Sequence, residues 1–286
     1  MTDEARDETL EPIIRVIGLV KHFGDRAVFE GIYLDVYPGE TIAIMGTSGT
    51  GKSTLLRHMV GALDPDEGHV ELLGKDLNDL DEAGLDALRL QFGILFQSGA
   101  LFNSMTVGEN VALPLTEHTD LDPETIEIMV KIKLELVGLR EAADLMPAQI
   151  SGGMKKRAGL ARAIALDPKI LFYDEPSAGL DPVTSAEIDQ LIMDMAGKLN
   201  VTSVVVTHEM DSAFRIADRM AMLDGGRIIK VGPRSEFEAL RDGGPTGDDQ
   251  LDLIRQFLRG DPDGPLTARR RSTAYEEDIL GALEGP

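Results

Sequence analysis

The spacing of apolar residues changes along the chain, and the changes mark out elements. Residues 15–20 and 32–37 read as strands, the second with Ile32, Leu34 and Val36 on one face at a period of two. Pro38-Gly39 reads as a turn. Residues 41–45 are almost wholly apolar, as a strand covered on both faces would be. A Gly-rich segment follows. A helix is then predicted from Ser53, with Leu55, Leu56, Met59, Val60 and Leu63 inward and the segment 64–68 ending it. From about residue 98 to 155 strand patterns vanish. Residues 124–137 form a helical run with Ile128, Ile132, Leu136 and Val137 on one side, so this stretch reads as an inserted helical subdomain. Strand texture returns at 170–174, 201–206 and 220–223, and between the first two a helix has Asp181 as N-cap and Pro182 in its first turn. Residues 223–228 read as a hairpin around Asp-Gly. Strands alternating with helices predict an α/β fold with a parallel sheet.

The ends differ from this body. Residues 1–12 read as a disordered acidic lead and 13–241 as the main domain. Residues 242–286 read as a linker, running to 249, and a C-terminal extension. There Leu251, Ile254, Phe257 and Leu258 make a short amphipathic stripe, before Arg269-Arg-Arg271 and an acidic end.

Composition narrows the possible roles. Of the 286 residues 28 are Lys or Arg and 50 are Asp or Glu, a formal charge of −22. That sign argues against coating nucleic acid, which needs a basic footprint, and against direct adhesion to anionic lipid. The chain has no Cys, which excludes disulfides and thiolate metal sites, and only five His. No run approaches the ~18–20 apolar residues that span a bilayer, and the acidic start lacks the features of a secretory or transit signal. The expectation is a cytoplasmic protein that another subunit would have to hold at a membrane.

The 30 glycines fall largely in short clusters. The first runs Gly46, Thr47, Ser48, Gly49, Thr50, Gly51, Lys52, Ser53, Thr54, between a buried strand and a helix, and fits G-x-x-x-x-G-K-[ST]. In such a loop the glycines turn backbone N–H groups inward around a phosphate, and the helix start adds partial positive charge. Lys52 supplies a point charge to the β- and γ-phosphates of a nucleotide, and Ser53 a hydroxyl to Mg2+. Residues 170–173 are apolar and deliver Asp174 and Glu175 to the carboxyl end of a strand, where open α/β sheets bind ligands. Asp174 suits Mg2+, and Glu175 suits orienting or deprotonating the attacking water.

Ser151-Gly152-Gly153-Met154-Lys155-Lys156-Arg157 resembles the signature motif of ABC transporter ATPases, and the resemblance runs in order over residues 13 to about 240. It implies a P-loop NTPase core with an antiparallel β subdomain and an inserted α-helical subdomain. By the same resemblance Phe23 stacks on adenine, Gln97 is the Q-loop residue that reaches Mg2+, Ser177-Ala-Gly-Leu-Asp181 is the D-loop, and His208 senses the γ-phosphate. ATP and Mg2+ are the implied cofactors. In that family two copies dock head to tail, each signature meeting the γ-phosphate bound by the other copy. The signature also makes physical sense, since Ser151 and the glycines precede a helix and form a second anion-binding start. Lys155 and Lys156 read mostly as a solvated helix face.

Within the family, Ile150 and Met154 replace the usual first and last signature residues, and Thr47 stands where Pro is usual. The Thr47 departure is peripheral to phosphate binding, while Ile150 and Met154, together with residues 95–102, 114–118 and 152–163, resemble the ATPases of Mla/Mce-type lipid transporters, whose C-terminal extension is similar to residues 255–265. The resemblance implies a subunit powering lipid transport between membranes, on the cytoplasmic face of the inner membrane. Its implied partners are a second copy of itself, a multi-pass permease, an Mce-domain lipid-binding subunit and, in some systems, a small STAS-domain regulator. It also implies an extension that clasps the partner ATPase, the alternative being one folded on its own core. Residues 98–102 expose apolar side chains that fit a socket for a permease helix. Two other readings fit the superfamily. The ATPase of a small-solute importer is disfavoured by those group-specific segments. A DNA-repair or chromosome ATPase of the same superfamily would need a long coiled coil, yet only 53 residues separate Gln97 from Ser151.

Overall fold

The computed structural model describes residues 10–269. Residues 1–9 of the acidic lead and the chain from 270 onward, with most of the basic triplet and the acidic end, lie outside the described residues. The first part of the chain builds β1 (Ile14–Phe23), β2 (Arg26–Val36), β3 (Thr41–Met45), α1 (Lys52–Met59), β4 (Glu67–Leu72), β5 (Lys75–Asp76), α2 (Glu82–Arg89) and β6 (Phe92–Leu95). Next come α3 (Val107–His118), α4 (Pro123–Leu136) and α5 (Gly152–Ala163). The last part is β7 (Ile170–Asp174), α6 (Pro182–Leu199), β8 (Thr202–Thr207), α7 (Met210–Ile216), β9 (Arg219–Asp224), β10 (Arg227–Pro233), α8 (Arg234–Asp242) and α9 (Asp249–Arg259).

Two sheets organise these elements. One has the order β2-β1-β4-β5 and is antiparallel, while the other has the order β10-β9-β3-β8-β7-β6. In the second, β3, β6, β7, β8 and β9 are parallel and only β10 runs against its neighbour. The central strands are buried on both faces, and their alternation sorts side chains into separate cores. Ile42, Ile44, Phe172, Val204 and Val206 face the core shared with α1 and the antiparallel sheet. Leu171, Tyr173 and Val205 face the helical side, with Leu134, Leu160 and Ile188. Ala43 and Met45 face a third core with Met220, Met222 and Phe237. A continuous apolar run is therefore the pattern these strands require. Among the described residues no helix is long and apolar enough to cross a membrane.

The ABC-type architecture expected from sequence is present, with several local corrections. The first hairpin is longer than the residues read as strands, because bulges interrupt its register between Val16 and Leu19 and between Lys21 and His22 and hide the alternation. The helix after the phosphate loop stops at Met59, not at 64–68. Gly68 belongs to β4, where a Cβ would lie 2.4 Å from the carbonyl oxygens of Ile17 and Gly18, so its role is close strand approach. Gly152 and Gly153 are the first residues of α5, with Ser151 as its N-cap.

Helix α4 turns its other face inward. Ile128, Ile132 and Leu136, read as an inward stripe, are exposed, and of that set only Val137 is buried. Val130 and Leu134 pack instead against the core that holds α3 and α5, flanked by Ile126 and Met129. Beside the stripe read from sequence the helix carries a second one, Ile126, Met129, Val130 and Leu134, so a period of 3.6 fits both and cannot choose between them.

The C-terminal stripe follows the alternative read from sequence, with α9 folded onto its own chain. Leu253, Ile254 and Leu258 are buried beside Phe237 of α8, with Leu251 and Phe257 half-buried. Polar contacts reverse the chain before α9: Thr246 and Gly247 donate backbone N–H groups to Asp252 at 2.7 and 3.2 Å. Arg269 then pairs with Asp224 of β9 at 2.6 Å. Asp242, counted with the linker, is the last residue of α8.

Candidate functional site

The loop between β3 and α1 owes its shape to two glycines. Gly51 has φ +98°, which favours glycine, and a Cβ there would lie 2.8 Å from the Phe29 ring. At Gly46 a Cβ would lie 2.4 Å from the carbonyl oxygen of Leu223, so the loop is pressed onto β9. Lys52 opens α1 and folds back over the loop, donating from Nζ to the carbonyl oxygens of Gly46 at 2.9 Å and Thr47 at 3.2 Å. Thr50 closes the loop with a bond from Oγ1 to the Thr47 carbonyl at 2.9 Å. Burial pulls the Lys52 pKa down, with the charges of Glu175 and Asp174 acting against that loss.

The strand ends of the parallel sheet bring the remaining groups to this loop. Ser53 donates from Oγ to Asp174 Oδ1 at 2.7 Å, so the hydroxyl and carboxylate expected to share a cation are already adjacent. Glu175 follows β7 and is buried. Its Oε1 is 3.8 Å from Lys52 Nζ. Its Oε2 accepts the backbone N–H of His208 at 3.2 Å and lies 2.8 Å from His208 Nδ1. A carboxylate can only accept, so Nδ1 carries the proton in this bond. The left-handed φ of +50° at Glu175, unfavourable for a residue with a Cβ, turns the side chain toward Lys52 and His208.

A cleft of ≈ 480 Å³ joins Phe23, Ser48, Gly49, Gly51, Lys52, Ser53, Thr54, Gln97, Glu175 and His208. Phe23 ends β1, lines the cleft and is half-exposed, with the Lys21 ammonium 5.8 Å from its ring centroid. Ser53, Asp174 and Gln97 offer only oxygen donors from the side chains that would face a cation, which fits Mg2+, a hard ion usually shared with phosphate and water. Among the described residues no three His, Cys, Asp or Glu converge as a metal cage, so such an ion would need the nucleotide to complete its shell.

Ser151, Gly152, Gly153, Met154 and Asp181 do not line this cleft. Ser151 caps α5 by accepting the Met154 N–H at 3.2 Å, and a Cβ at Gly153 would lie 2.5 Å from Thr184 of α6. Asp181 caps α6 through the N–H groups of Val183 and Thr184, and the Thr184 hydroxyl holds its carboxyl below the usual range. One chain thus carries two phosphate-suited helix starts that do not share a pocket.

Two residues in this region escaped the sequence reading. Arg26 lines the cleft because it pairs with Phe23 across the first hairpin, and the adjacency of the two in the chain was the available signal. Lys156 is not on a solvated face but buried, with Nζ on the carbonyl oxygens of Glu175 and Ala178. Nothing in the alternation of α5 distinguishes it from Lys155.

The family model described as ABC transporter matches residues 29–178. The chain belongs to the ABC transporter family. It is an ATPase of that family, with the fold of its ATP-binding cassettes. It is 42% identical to the intermembrane phospholipid transport system ATP-binding protein MlaF of Escherichia coli (strain K12) over 257 residues, 90% of this chain and 92% of that one. It is also 42% identical to the probable ribonucleotide transport ATP-binding protein mkl of Mycobacterium leprae, over 93% of this chain and 75% of that one. Among solved structures it resembles the ATP-binding cassette MJ0796 in a dimeric post-hydrolysis state bound to ADP and Pi. That match has a TM-score of 0.72 and 30% identity, over 77% of this chain and 98% of that chain.

Proposed function

We propose that this chain is the ATP-hydrolysing subunit of a phospholipid transport complex, seated on the cytoplasmic face of the inner membrane. The observation that carries the hydrolytic part is the Glu175 carboxylate, held between Lys52 and His208 at the mouth of the phosphate loop. Lys52 leaves the Gly46 and Thr47 carbonyls to meet the β- and γ-phosphates of ATP, and the loop N–H groups cradle the β-phosphate. Phe23 stacks on the adenine. Glu175 orients the attacking water and accepts its proton, while His208 fixes the carboxylate and contacts the γ-phosphate. Ser53, Asp174 and Gln97 hold Mg2+, which when bound neutralises charge on the transferred phosphoryl group.

Two copies dock head to tail, so that Ser151, Gly152, Gly153 and Met154 of one complete the cleft of the other, and Asp181 lies at the contact. That these residues lie outside the chain's own cleft supports this reading, as does the dimeric state of the MJ0796 cassette. A groove of ≈ 700 Å³ beside β6, lined by Phe96, Ala100, Phe102, Pro114 and Arg162, suits a helix of the permease. Phe96 and Phe102 are exposed there, whereas Leu101 turns into the helical core. The permease, an Mce-domain subunit and, in some systems, a STAS-domain regulator complete the assembly. The cargo is assigned from similarity to MlaF, which this chain matches over almost its full length. A small-solute importer remains the less favoured reading.

Two measurements test this. In the Glu175→Gln chain, phosphate release should fall by ~10²-fold or more, the scale of a lost catalytic base, while ATP is still bound. Near-normal turnover would overturn the assignment. For the cargo, phospholipid enriched in the purified complex relative to its membrane supports the proposal. A lipid-free complex stimulated by a soluble solute such as a ribonucleotide would overturn it.

A further inference from the structure

Lys156 is an ammonium taken out of water whose close hydrogen-bond partners are not carboxylates but backbone carbonyls. The side chain is 5% exposed, and its hydrogen-bond partners among the described residues are two backbone oxygens. Nζ donates to the carbonyl of Ala178 at 2.7 Å and to that of Glu175 at 3.3 Å. Burial pulls its pKa down, with the charges of Glu209 and Glu175 opposing. A methionine would fill similar space without the cost of desolvating a charge, so the two carbonyls are where the ammonium has its effect.

Those carbonyls belong to the turn that aims Glu175. Its φ of +50° is a conformation that the surroundings must impose, and the following Pro176 disfavours the right-handed helical alternative. The Glu175 N–H is fixed on the Val206 carbonyl at 2.9 Å, and the Glu175 carbonyl accepts the Ala178 N–H at 3.2 Å. Lys156 adds a third anchor, from a different element. Rotation of the 175–176 peptide would swing the carboxylate away from His208 and Lys52. The second carbonyl, at Ala178, lies in the segment that leads to Asp181.

The other end of the connection is the start of α5. Lys156 lies just over one turn past Ser151, on a helix clamped along its length. Arg162 donates to the carbonyls of Ala100 at 2.8 Å and Gly99 at 3.1 Å, and a Cβ at Gly159 would meet the Gly99 carbonyl at 2.8 Å. A shift of the helix start therefore moves the ammonium with it, rather than being absorbed locally.

We propose that Lys156 is a positioning residue for hydrolysis: it ties the Ser151–Gly153 helix start to the backbone of Glu175, so that the carboxylate is aimed only when that helix is seated. The inference rests on Glu175 being the water-orienting group. It differs from that reading in assigning part of the aim to a side chain that does not line the cleft.

The test uses the full chain with ATP and Mg2+. Lys156→Met should lower kcat about tenfold while KM for ATP stays within about twofold, since misaiming a reacting group costs rate rather than binding. Lys156→Arg, which can reach both carbonyls, should recover kcat to within about threefold of wild type. If Lys156→Met does not fold, Lys156→Gln carries the same test, with an expected loss of at least about threefold in kcat at unchanged KM. Wild-type kcat in a folded Met or Gln variant overturns the proposal. So does a parallel change of kcat and KM that follows the melting temperature, or an Arg variant as slow as Met. Glu175→Gln run alongside separates the two readings. If it stays active, the Glu175 assignment falls and this one with it. If it is inactive and Lys156→Met is normal, only the positioning role falls.

Discussion

At the residue scale, the phosphate loop separates two requirements on glycine that sequence cannot distinguish. Gly49 and Gly51 both have left-handed φ, +83° and +98°. At Gly49 a Cβ would meet nothing within 4 Å, whereas at Gly51 it would meet the rings and methyls of Phe29 and Val28 at 2.8–3.0 Å. Gly49→Ala should therefore cost about 1–2 kcal/mol, the backbone term alone. Gly51→Ala adds displacement of a buried ring and should cost clearly more, as compared by denaturant midpoints. Equal losses would show that the loop yields at Gly51. The loop itself was legible in the chain because its glycines, Lys52 and Ser53 act through the backbone and through fixed spacing. Lys156 was not, because what distinguishes it from Lys155 is a contact with residues 19 and 22 positions further on.

Among the elements, the parallel strands were readable because burial on both faces leaves no polar position to confuse the pattern. Helix α4 shows where periodicity fails. With two apolar stripes on one helix, the inward face is decided by α3 and α5, and the sequence reading took the stripe that solvent sees. Leu134→Ala should cost ~2–5 kcal/mol as a buried truncation, whereas Ile132→Ser should stay within about 0.5 kcal/mol. Thermal melts of the two variants check this, and a large loss for Ile132→Ser would restore the original stripe. Helix α9 was visible as an amphipathic stripe, but not its destination. Its burial beside Phe237 predicts that truncation after Gly247 lowers the melting temperature of the isolated chain. Leu253, Ile254 and Leu258 each contribute ~1.5–3 kcal/mol before the cost of ordering. An unchanged melt with weakened dimerisation would instead favour the clasp.

For the whole molecule, the net charge is −22, no described helix is long and apolar enough to cross a membrane, and the groove around Phe96 and Phe102 is the surface proposed for the permease. The most informative feature at this scale is the one seen earlier in a single chain: Lys52 and Ser151, both proposed to serve phosphate, do not share a cleft. In the proposed head-to-tail pair this becomes a rule of inheritance. Take one chain inactivated at Lys52 (Lys52→Ala) and another at Ser151 (Ser151→Phe). Each homodimer has two defective sites. When the two are co-expressed, random pairing gives about half mixed dimers, and each of these joins one wild-type loop to one wild-type helix start, leaving one whole site of two. About a quarter of all sites are then intact, so activity should reappear on mixing two silent proteins, up to that ceiling where one site can fire alone. Two variants that both lie in the loop, such as Lys52→Ala with Gly51→Ala, should never complement. Failure of the first pair despite nucleotide binding at the intact sites would show that each chain closes its own site, and rescue of the second would show that the loop variants are not silent.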